Sequence, residues 1–206
     1  PNTNKPLHLG HIRNNLIGNA VSRILSANGQ NVKQVNLIND RGIHICKTIY
    51  AWQKWGNNNT PETLKIKGDK YVGDLYVKFE QELKKEINTL MSKDMNEEEA
   101  MKNSTLMQGA RKILIQWEAN TAEIRDIWKA MNEWVIKGFQ DTYKRMNIHF
   151  DKLYFESETY LQGKEIVVDG LSSDKFNQKE DNSIWVDLTK DGLDEKLLLR
   201  ADGTSV

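Results

Sequence analysis

The order of apolar and polar positions predicts a helix, a strand and a second helix in the first quarter of the chain. Between Leu9 and Ala27 the apolar residues recur at helical spacing, and Asn28-Gly29 follows as a helix stop. The run "NVKQVNLIN" is a short strand candidate, and helical spacing returns from Ile43 to Trp55. This order predicts half of a parallel α/β unit.

The pattern of apolar and polar residues changes around residue 57. Residues 71–91 carry one apolar stripe with Lys and Glu opposite it, and amphipathic stretches also cover about 106–118 and 121–146. We therefore expect a helical insertion in the α/β unit. Three tryptophans on its apolar faces are expected in the core: Trp117, Trp128 and Trp134.

Two asparagines in the insertion have the spacing of capping boxes. Asn96 is followed by Glu99, and Asn120 is followed by Glu123. Both pairs predict the start of a helix.

After Asn147 the pattern changes to short strands and turns. "FDKLYFES" reads as a strand, and "EDN" is a hairpin turn signal. The continuous apolar run in "KLLLRADGTSV" predicts a parallel strand that is covered on both faces.

Composition narrows the function classes. The chain has 206 residues with 29 basic and 29 acidic side chains, so it lacks the positive excess of a dedicated nucleic-acid-binding surface. The single Cys46 excludes an internal disulfide and fits a reducing compartment. No apolar run approaches the length of a membrane span. From the proline at its start and the strand at its end, we expect an internal fragment of a larger protein.

The opening "PNTNKPLHLGHIRNN" holds the candidate chemistry. Pro6 and Gly10 favour a turn into a helix, which places His8 and His11 beside the unpaired N–H groups that attract phosphate. With Lys5 nearby, this pattern indicates a triphosphate site without a Walker loop. A metal site is the alternative but lacks a third ligand, and a purely structural histidine pair also remains open.

Three motifs carry a resemblance to a known family. "HLGH" resembles the HIGH signature of class I aminoacyl-tRNA synthetases, with Leu9 in place of isoleucine. Together with "NLINDRGIHI" and "LLLRADGTSV", the opening is similar to arginyl-tRNA synthetases. The resemblance implies an α/β fold, a partial Rossmann-type catalytic domain with a largely helical insertion and a small β-rich segment. The expected divisions are 1–56 for the first half of the nucleotide-binding unit, 57–147 for the insertion, 148–194 for the β-rich segment and 195–206 for the return strand.

The resemblance also implies roles for individual residues. His8 and His11 would contact the ATP phosphates, Gly10 would let adenine approach, and Lys5 would supply a charge that a degenerate KMSKS motif lacks. The other implied site residues are Asn2, Asp40 and His44 for the amino acid, and Asp202, Gly203 and Thr204 for the opposite, ATP-binding wall of the pocket. Arg41 stands where the family often has tryptophan, and the residues that read the guanidinium would follow Val206.

The implied reaction is ATP-dependent activation of L-arginine and its esterification to tRNA. ATP would be a substrate accompanied by Mg²⁺, and tRNA would bind mainly through domains outside this chain and would be needed for the first step. We expect a cytoplasmic monomer without a membrane partner, and expect the isolated chain to be inactive. The alternatives are another synthetase or nucleotidylyltransferase of the HIGH superfamily, and a helical interaction module.

Overall fold

The computed structural model describes residues 1–173 and 175–201, except the side chains of Leu161 and Lys164. The chain forms two compact units, Pro1–Leu153 and Tyr154–Val206. The described helices are α1 (Leu9–Ala27), α2 (Ile43–Trp55), α3 (Pro61–Leu64), α4 (Gly68–Met91), α5 (Glu97–Asn103), α6 (Thr105–Glu118), α7 (Ala122–Arg145) and α8 (Glu156–Ser172). The described strands are β1 (Val35–Ile38), β2 (Lys152–Phe155), β3 (Asn177–Gln178), β4 (Ile184–Val186) and β5 (Lys196–Leu199).

The first unit is built around the apolar stripes of four helices. Helix α4 packs against α2 and α7, and α6 packs against α2. The side chains at the centre of this core are almost fully buried: Ile49, Phe79, Trp117, Val135 and Phe139. The predicted helical insertion and α2 therefore share one core, whereas the four sequence divisions expected above remain predictions.

Helices α1 and α2 confirm the predicted bounds, but they differ in burial. Helix α2 buries six of its residues. Helix α1 has no buried residue among those that the structure describes, and its Leu16 and Ile17 are 48% and 49% exposed.

One of the two predicted capping boxes is confirmed. The Asn96 side chain accepts a hydrogen bond from the Glu99 N–H, and the Glu99 carboxylate accepts one from the Asn96 N–H. The second prediction is wrong. Thr121 is the residue that precedes α7, and Asn120 has a φ of 56° and accepts a hydrogen bond from the Arg125 guanidinium instead. Asparagine tolerates this left-handed conformation, which here ends the preceding turn.

The second unit combines helix α8 with a three-stranded sheet of order β3-β4-β5. The predicted turn at "EDN" is confirmed, because β3 and β4 are antiparallel and Lys179 donates its N–H to the Ser183 carbonyl. The parallel strand predicted near Leu197 is wrong, since β5 runs antiparallel to β4. A short connection reverses the chain between these strands, and a parallel pair would need a longer crossover.

Helix α8 is an element that the apolar pattern did not predict. Its sequence contains Gly163, Gly170 and the pair Val167-Val168, which are all weak helix formers. Tertiary contact outweighs this propensity, because Val167 packs in a small core with Ile184 of β4 and Leu199 of β5.

Within the described residues, no helix combines the length and the apolar character that crossing a membrane requires.

Candidate active site

The opening residues pair with the chain that follows strand β1. Asn2 and Asn39 form a parallel bridge, the Thr3 N–H donates to the Asn39 carbonyl at 2.9 Å, and the Asn39 N–H donates to the Pro1 carbonyl at 2.8 Å. This pairing is the parallel contact that the predicted α/β unit requires. It brings Asn2 beside the carboxyl end of β1, where open parallel sheets bind ligands.

His8 and His11 form a capping box at the start of α1. The His8 Nδ1 atom accepts the Gly10 N–H at 3.1 Å, and the His11 Nδ1 atom accepts the His8 N–H at 3.2 Å. Because both Nδ1 atoms are acceptors, the proton of each neutral ring lies on Nε2. The two ring centroids are 3.9 Å apart. The first turn of α1 therefore carries two adjacent Nε2–H donors where a helix already favours an anion.

Gly10 leaves room for the His8 ring. A Cβ atom at position 10 would lie 2.9 Å from His8 Cε1 and 3.1 Å from His8 Nδ1, which is too close for an ordinary contact. The structure thus gives a reason for glycine within the chain itself. The contact of adenine with Gly10 stays a prediction.

The pKa of His11 is lowered by its surroundings. Partial burial has the largest effect, and the positive charges of His8, the N-terminal amine of Pro1 and Lys5 lower the pKa of His11 further. The His11 ring is therefore neutral near pH 7, which keeps its Nδ1 atom available as the acceptor of the capping box.

Asp40 is held at the end of β1 by the helical insertion. Its side chain is buried, and its backbone carbonyl accepts the indole N–H of Trp128 at 2.6 Å. Arg41, the departure from the family pattern, lies against Trp117 with its guanidinium carbon 5.9 Å from the ring centroid, and it contacts the Glu118 carboxylate at 3.6 Å. Of the three tryptophans expected in the core, Trp117 is buried, whereas Trp128 and Trp134 are half-buried. The Trp128 indole holds the segment that follows β1 through its bond to the Asp40 carbonyl.

His44 lies in the first turn of α2, and its partner comes from α4. Its Nδ1 atom is 3.1 Å from the Tyr76 hydroxyl. Tyr76 is a further candidate that the sequence analysis did not name, because its position falls in the apolar stripe of residues 71–91. It is half-buried rather than buried, and a polar group at the edge of a stripe would have been the signal.

The remaining predicted residues Asp202, Gly203 and Thr204 lie outside the described residues. Among the described residues, no group of three or more His, Cys, Asp or Glu side chains is arranged to hold a metal ion.

Comparison with known proteins identifies the family of this chain. The model of the family described as "tRNA synthetases class I (R), catalytic domain" matches residues 1–206, which is the whole chain. The chain belongs to the class I tRNA synthetase (R) family. As a member of this family, it is 58% identical over 206 residues to the arginine–tRNA ligases of Parabacteroides distasonis and Bacteroides thetaiotaomicron. It spans all of its own length but only 34% of each of these relatives.

Solved structures of class I tRNA synthetases show the same fold. The arginyl-tRNA synthetase of Thermus thermophilus superimposes with a TM-score of 0.63 at 21% identity, covering all of this chain and 32% of that one. The arginyl-tRNA synthetase of Plasmodium falciparum gives a TM-score of 0.66 at 19% identity, covering all of this chain and 31% of that one. At these identities the likeness supports the fold of this catalytic-domain segment.

Proposed function

We propose that this chain forms part of the catalytic centre of an arginine–tRNA ligase. The observation that carries the proposal is the pair of Nε2–H donors fixed at the start of α1, in a chain whose whole length matches the synthetase family. The activity belongs to a protein of the relatives' length, of which this chain represents about a third.

The two histidines would act on the phosphates of ATP. The arginine carboxylate attacks the α-phosphorus, the bond from that phosphorus to the bridging oxygen breaks, and pyrophosphate leaves with the electron pair. Nε2–H groups of His8 and His11 would stabilise the negative charge that develops on the phosphate oxygens, and Lys5 would add a cation. No covalent enzyme intermediate is needed, because positioning and fixed donors lower the barrier.

The amino acid would lie at the carboxyl end of β1. Asn2 pairs with Asn39 just after β1, Asp40 follows in the chain, and His44 lies in the first turn of α2. These three are the proposed amino-acid-binding residues. Asp202, Gly203 and Thr204 are proposed for the opposite wall. In the second step, a terminal ribose hydroxyl of tRNA attacks the activated carbonyl, and AMP leaves.

We expect Mg²⁺ to enter with ATP. The described residues lack a carboxylate cluster for a dedicated ion, and Mg²⁺ in nucleotide sites is held largely by substrate phosphates and water. Most of the tRNA contact is expected outside this chain, since its formal net charge is zero. A cytoplasmic location and a monomeric state complete the proposal.

The test is tRNA charging by the full-length protein that contains this sequence, with the twenty amino acids supplied singly. We expect esterification of arginine alone, and we expect its loss in His11→Ala. His149→Ala is the matched control, because His149 is exposed and lies in the segment between α7 and β2, outside the first turn of α1.

Each other outcome revises a defined part of the proposal. Charging with a different amino acid would keep the reaction and overturn the specificity. A folded protein that binds ATP without charging tRNA would favour a nucleotidylyltransferase, and one that does neither would favour an interaction module. Equal activity of His11→Ala and His149→Ala would remove His11 from the site.

A further inference from the structure

The segment that follows strand β1 is held by two helices of the predicted insertion. The indole N–H of Trp128, on α7, donates to the Asp40 carbonyl at 2.6 Å. The next residue, Arg41, has its guanidinium carbon 5.9 Å from the centroid of Trp117, on α6, and contacts the Glu118 carboxylate at 3.6 Å. Asp40 and Trp128 are 88 positions apart in the chain, so their bond depends on the packing of α7 beside this segment.

The Trp128 ring is held in place by two neighbours. It meets the buried Trp117 ring edge to face, with the two centroids 5.5 Å apart. The Arg125 guanidinium carbon lies 3.6 Å from the Trp117 centroid and 5.4 Å from the Trp128 centroid. Arg125 is itself anchored, because its Nε donates to the Trp117 carbonyl at 3.0 Å. An aromatic edge and an anchored cation therefore set the direction of the indole N–H.

The Asp40 carbonyl lies next to the backbone pairing that places Asn2. Asn39 accepts the Thr3 N–H at 2.9 Å and donates its own N–H to the Pro1 carbonyl at 2.8 Å. Asn2 lies between these two bonds and forms the parallel bridge with Asn39. Only the two backbone dihedrals of Asp40 separate its carbonyl from the carbonyl of Asn39. A displacement of the Asp40 carbonyl is therefore expected to disturb the bridge.

The burial of Asp40 gives the bond from Trp128 its importance. Asp40 is only 2% exposed, so water has little access to its carbonyl and does not easily replace the indole N–H. The bridge on the other side is short, because Asn2 and Asn39 pair outside the named strands. A short bridge has few hydrogen bonds of its own to resist a shift of the neighbouring residue.

We propose that Trp128 is a positioning residue for the amino-acid substrate. By holding the Asp40 carbonyl, its indole N–H fixes the pairing of Asn39 with residues 1–3, and this pairing sets where the Asn2 amide meets the amino acid. The ligand of Asn2 rests on the proposed function. The effect of Trp128 on the backbone pairing does not depend on catalysis.

The kinetic test removes the indole N–H in the full-length protein that contains this sequence. Trp128→Phe removes the donor and part of the ring. Site-specific replacement of Trp128 by benzothienylalanine, which has sulfur in place of the N–H, removes the donor alone. Both variants are expected to raise the KM for arginine by about three- to tenfold, as for the loss of one hydrogen bond, and to leave the KM for ATP nearly unchanged.

Trp134→Phe is the matched control on the same helix. Trp134 is also half-buried, but its ring packs against Trp52 and Tyr71, with centroids 6.4 Å and 6.0 Å away. Trp134→Phe should lower the melting temperature and leave both KM values unchanged.

The two KM values distinguish positioning from a structural role. An unchanged KM for arginine in the benzothienylalanine variant would overturn the proposal, and so would an equal rise in Trp134→Phe. A rise in the KM for ATP as large as that for arginine would overturn it too, because the pairing places Asn2 and not the histidines of α1. In an Asn2→Ala background, Trp128→Phe should have no further effect on the KM for arginine, and an undiminished effect would contradict the role.

Hydrogen exchange separates this proposal from the proposed function. The Thr3 and Asn39 amides should exchange about three- to tenfold faster in the benzothienylalanine variant, since their hydrogen bonds would open more often. The Asp151 amide is the internal control, because it donates to the Gln34 carbonyl at 2.7 Å just before the other end of β1. Mass spectrometry of peptides from the full-length protein measures all three amides.

The exchange rates decide the role whether or not arginine is charged. Unchanged exchange at Thr3 and Asn39 would overturn the positioning role even in a fully active enzyme. Faster exchange at these two amides alone, in a protein that does not charge arginine, would support the role of Trp128 while the proposed function fails.

Discussion

Helix α4 places Tyr71, Phe79 and Leu83 in the core between its neighbours, whereas helix α1 buries none of its residues against the described part of the chain. The two helices are also fixed differently at their starts. Helix α1 begins with backbone N–H groups that donate to the His8 and His11 rings, and α4 begins where Gly68 approaches the backbone of Trp134 in α7. Packing therefore stabilises α4, and local polar contacts order the first turn of α1.

Because of this difference, we expect the two helices to contribute to different properties of the protein, α4 to its stability and the start of α1 to its catalysis. Substitutions at the buried positions of α4 should act on the free energy of unfolding, and substitutions of the histidines in the first turn of α1 should act on catalysis. The variants below test whether these two regions can be altered independently.

The largest expected effect is on the free energy of unfolding, from a substitution in the buried part of α4. Phe79→Ala removes a side chain that is 0% exposed, and should lower the free energy of unfolding by about 3–5 kcal/mol. Leu16→Ala on α1 should cost less than about 1 kcal/mol, because Leu16 is 48% exposed. Denaturant unfolding of the two variants measures both values. Similar losses would show that the α1 stripe is covered as well as α4 is.

The next effect is on catalysis at α1. His11→Ala in the full-length protein should lower kcat by about 10²–10³-fold, by analogy with removal of one oxyanion donor. Its unfolding free energy should fall by no more than about 1.5 kcal/mol, which is the value of the lost capping bond. Parallel kinetics and unfolding measure the two quantities. If the loss of activity were explained by unfolding of the variant, it would contradict the expectation that this residue acts on catalysis and not on stability.

A smaller effect is expected at the start of α6, which Glu86 of α4 stabilises. The Glu86 carboxylate of α4 accepts hydrogen bonds from Ser104, from both the N–H and the hydroxyl of Thr105, and from the Leu106 N–H. Burial alone would raise the pKa of Glu86, but these four bonds outweigh it and lower the pKa. The stabilisation is therefore present above the unfolded-state pKa, about 4.3, and is lost as the pH falls through the folded-state value.

Glu86→Gln should reduce the free energy of unfolding at pH 7 by about 1.5–3 kcal/mol. Its melting temperature should approach that of the wild type as the pH falls below about 4. Glu82→Gln is the control on the same helix, because the Glu82 carboxylate pairs only with the exposed Lys85 among the contacts described for it, at 2.7 Å. A gap between Glu86→Gln and the wild type that stays constant with pH would contradict the role of the carboxylate charge.

The smallest effect separates the two tasks of His8. His8→Ala removes the cap of α1 and should cost about 1 kcal/mol of stability, whereas His8→Asn should restore it because asparagine is a preferred cap. Neither variant should recover the activity, since neither carries the imidazole. Thermal unfolding and charging assays measure the pair. Recovery of activity in His8→Asn would reduce His8 to a structural residue.

Local features of this molecule were predictable from its sequence. The bounds of α1 and α2, the Asn96 capping box and the β3–β4 turn each depend on residues within a few positions of one another. The proximity of His8, Gly10 and His11 in the structure was also predictable, because these residues are close in the sequence. For these features, propensity and spacing act through the same short stretch of chain.

Contacts between distant segments were not predictable in the same way. The Tyr76–His44 contact and the bond from Trp128 to the Asp40 carbonyl require the packing of separate helices. The orientation of β5 depends on β4, and α8 forms despite its two glycines because Val167 has partners in the sheet. An apolar stripe indicates a helix, but it does not show which polar atom at the edge of the stripe will meet another segment.

The capping bond at His11 Nδ1 has one further consequence. A proton on this atom and the hydrogen bond from the His8 N–H exclude each other, so acidification frees a backbone donor in the first turn of α1. Because the pKa of His11 is lowered in the folded chain, the unfolded chain takes up the proton first as the pH falls, and folding is weakened below about pH 6.5. Protonation of His11 therefore has two opposite effects on phosphate binding. It adds a positive charge that attracts phosphate, but it also removes the hydrogen bond that fixes the direction of the ring.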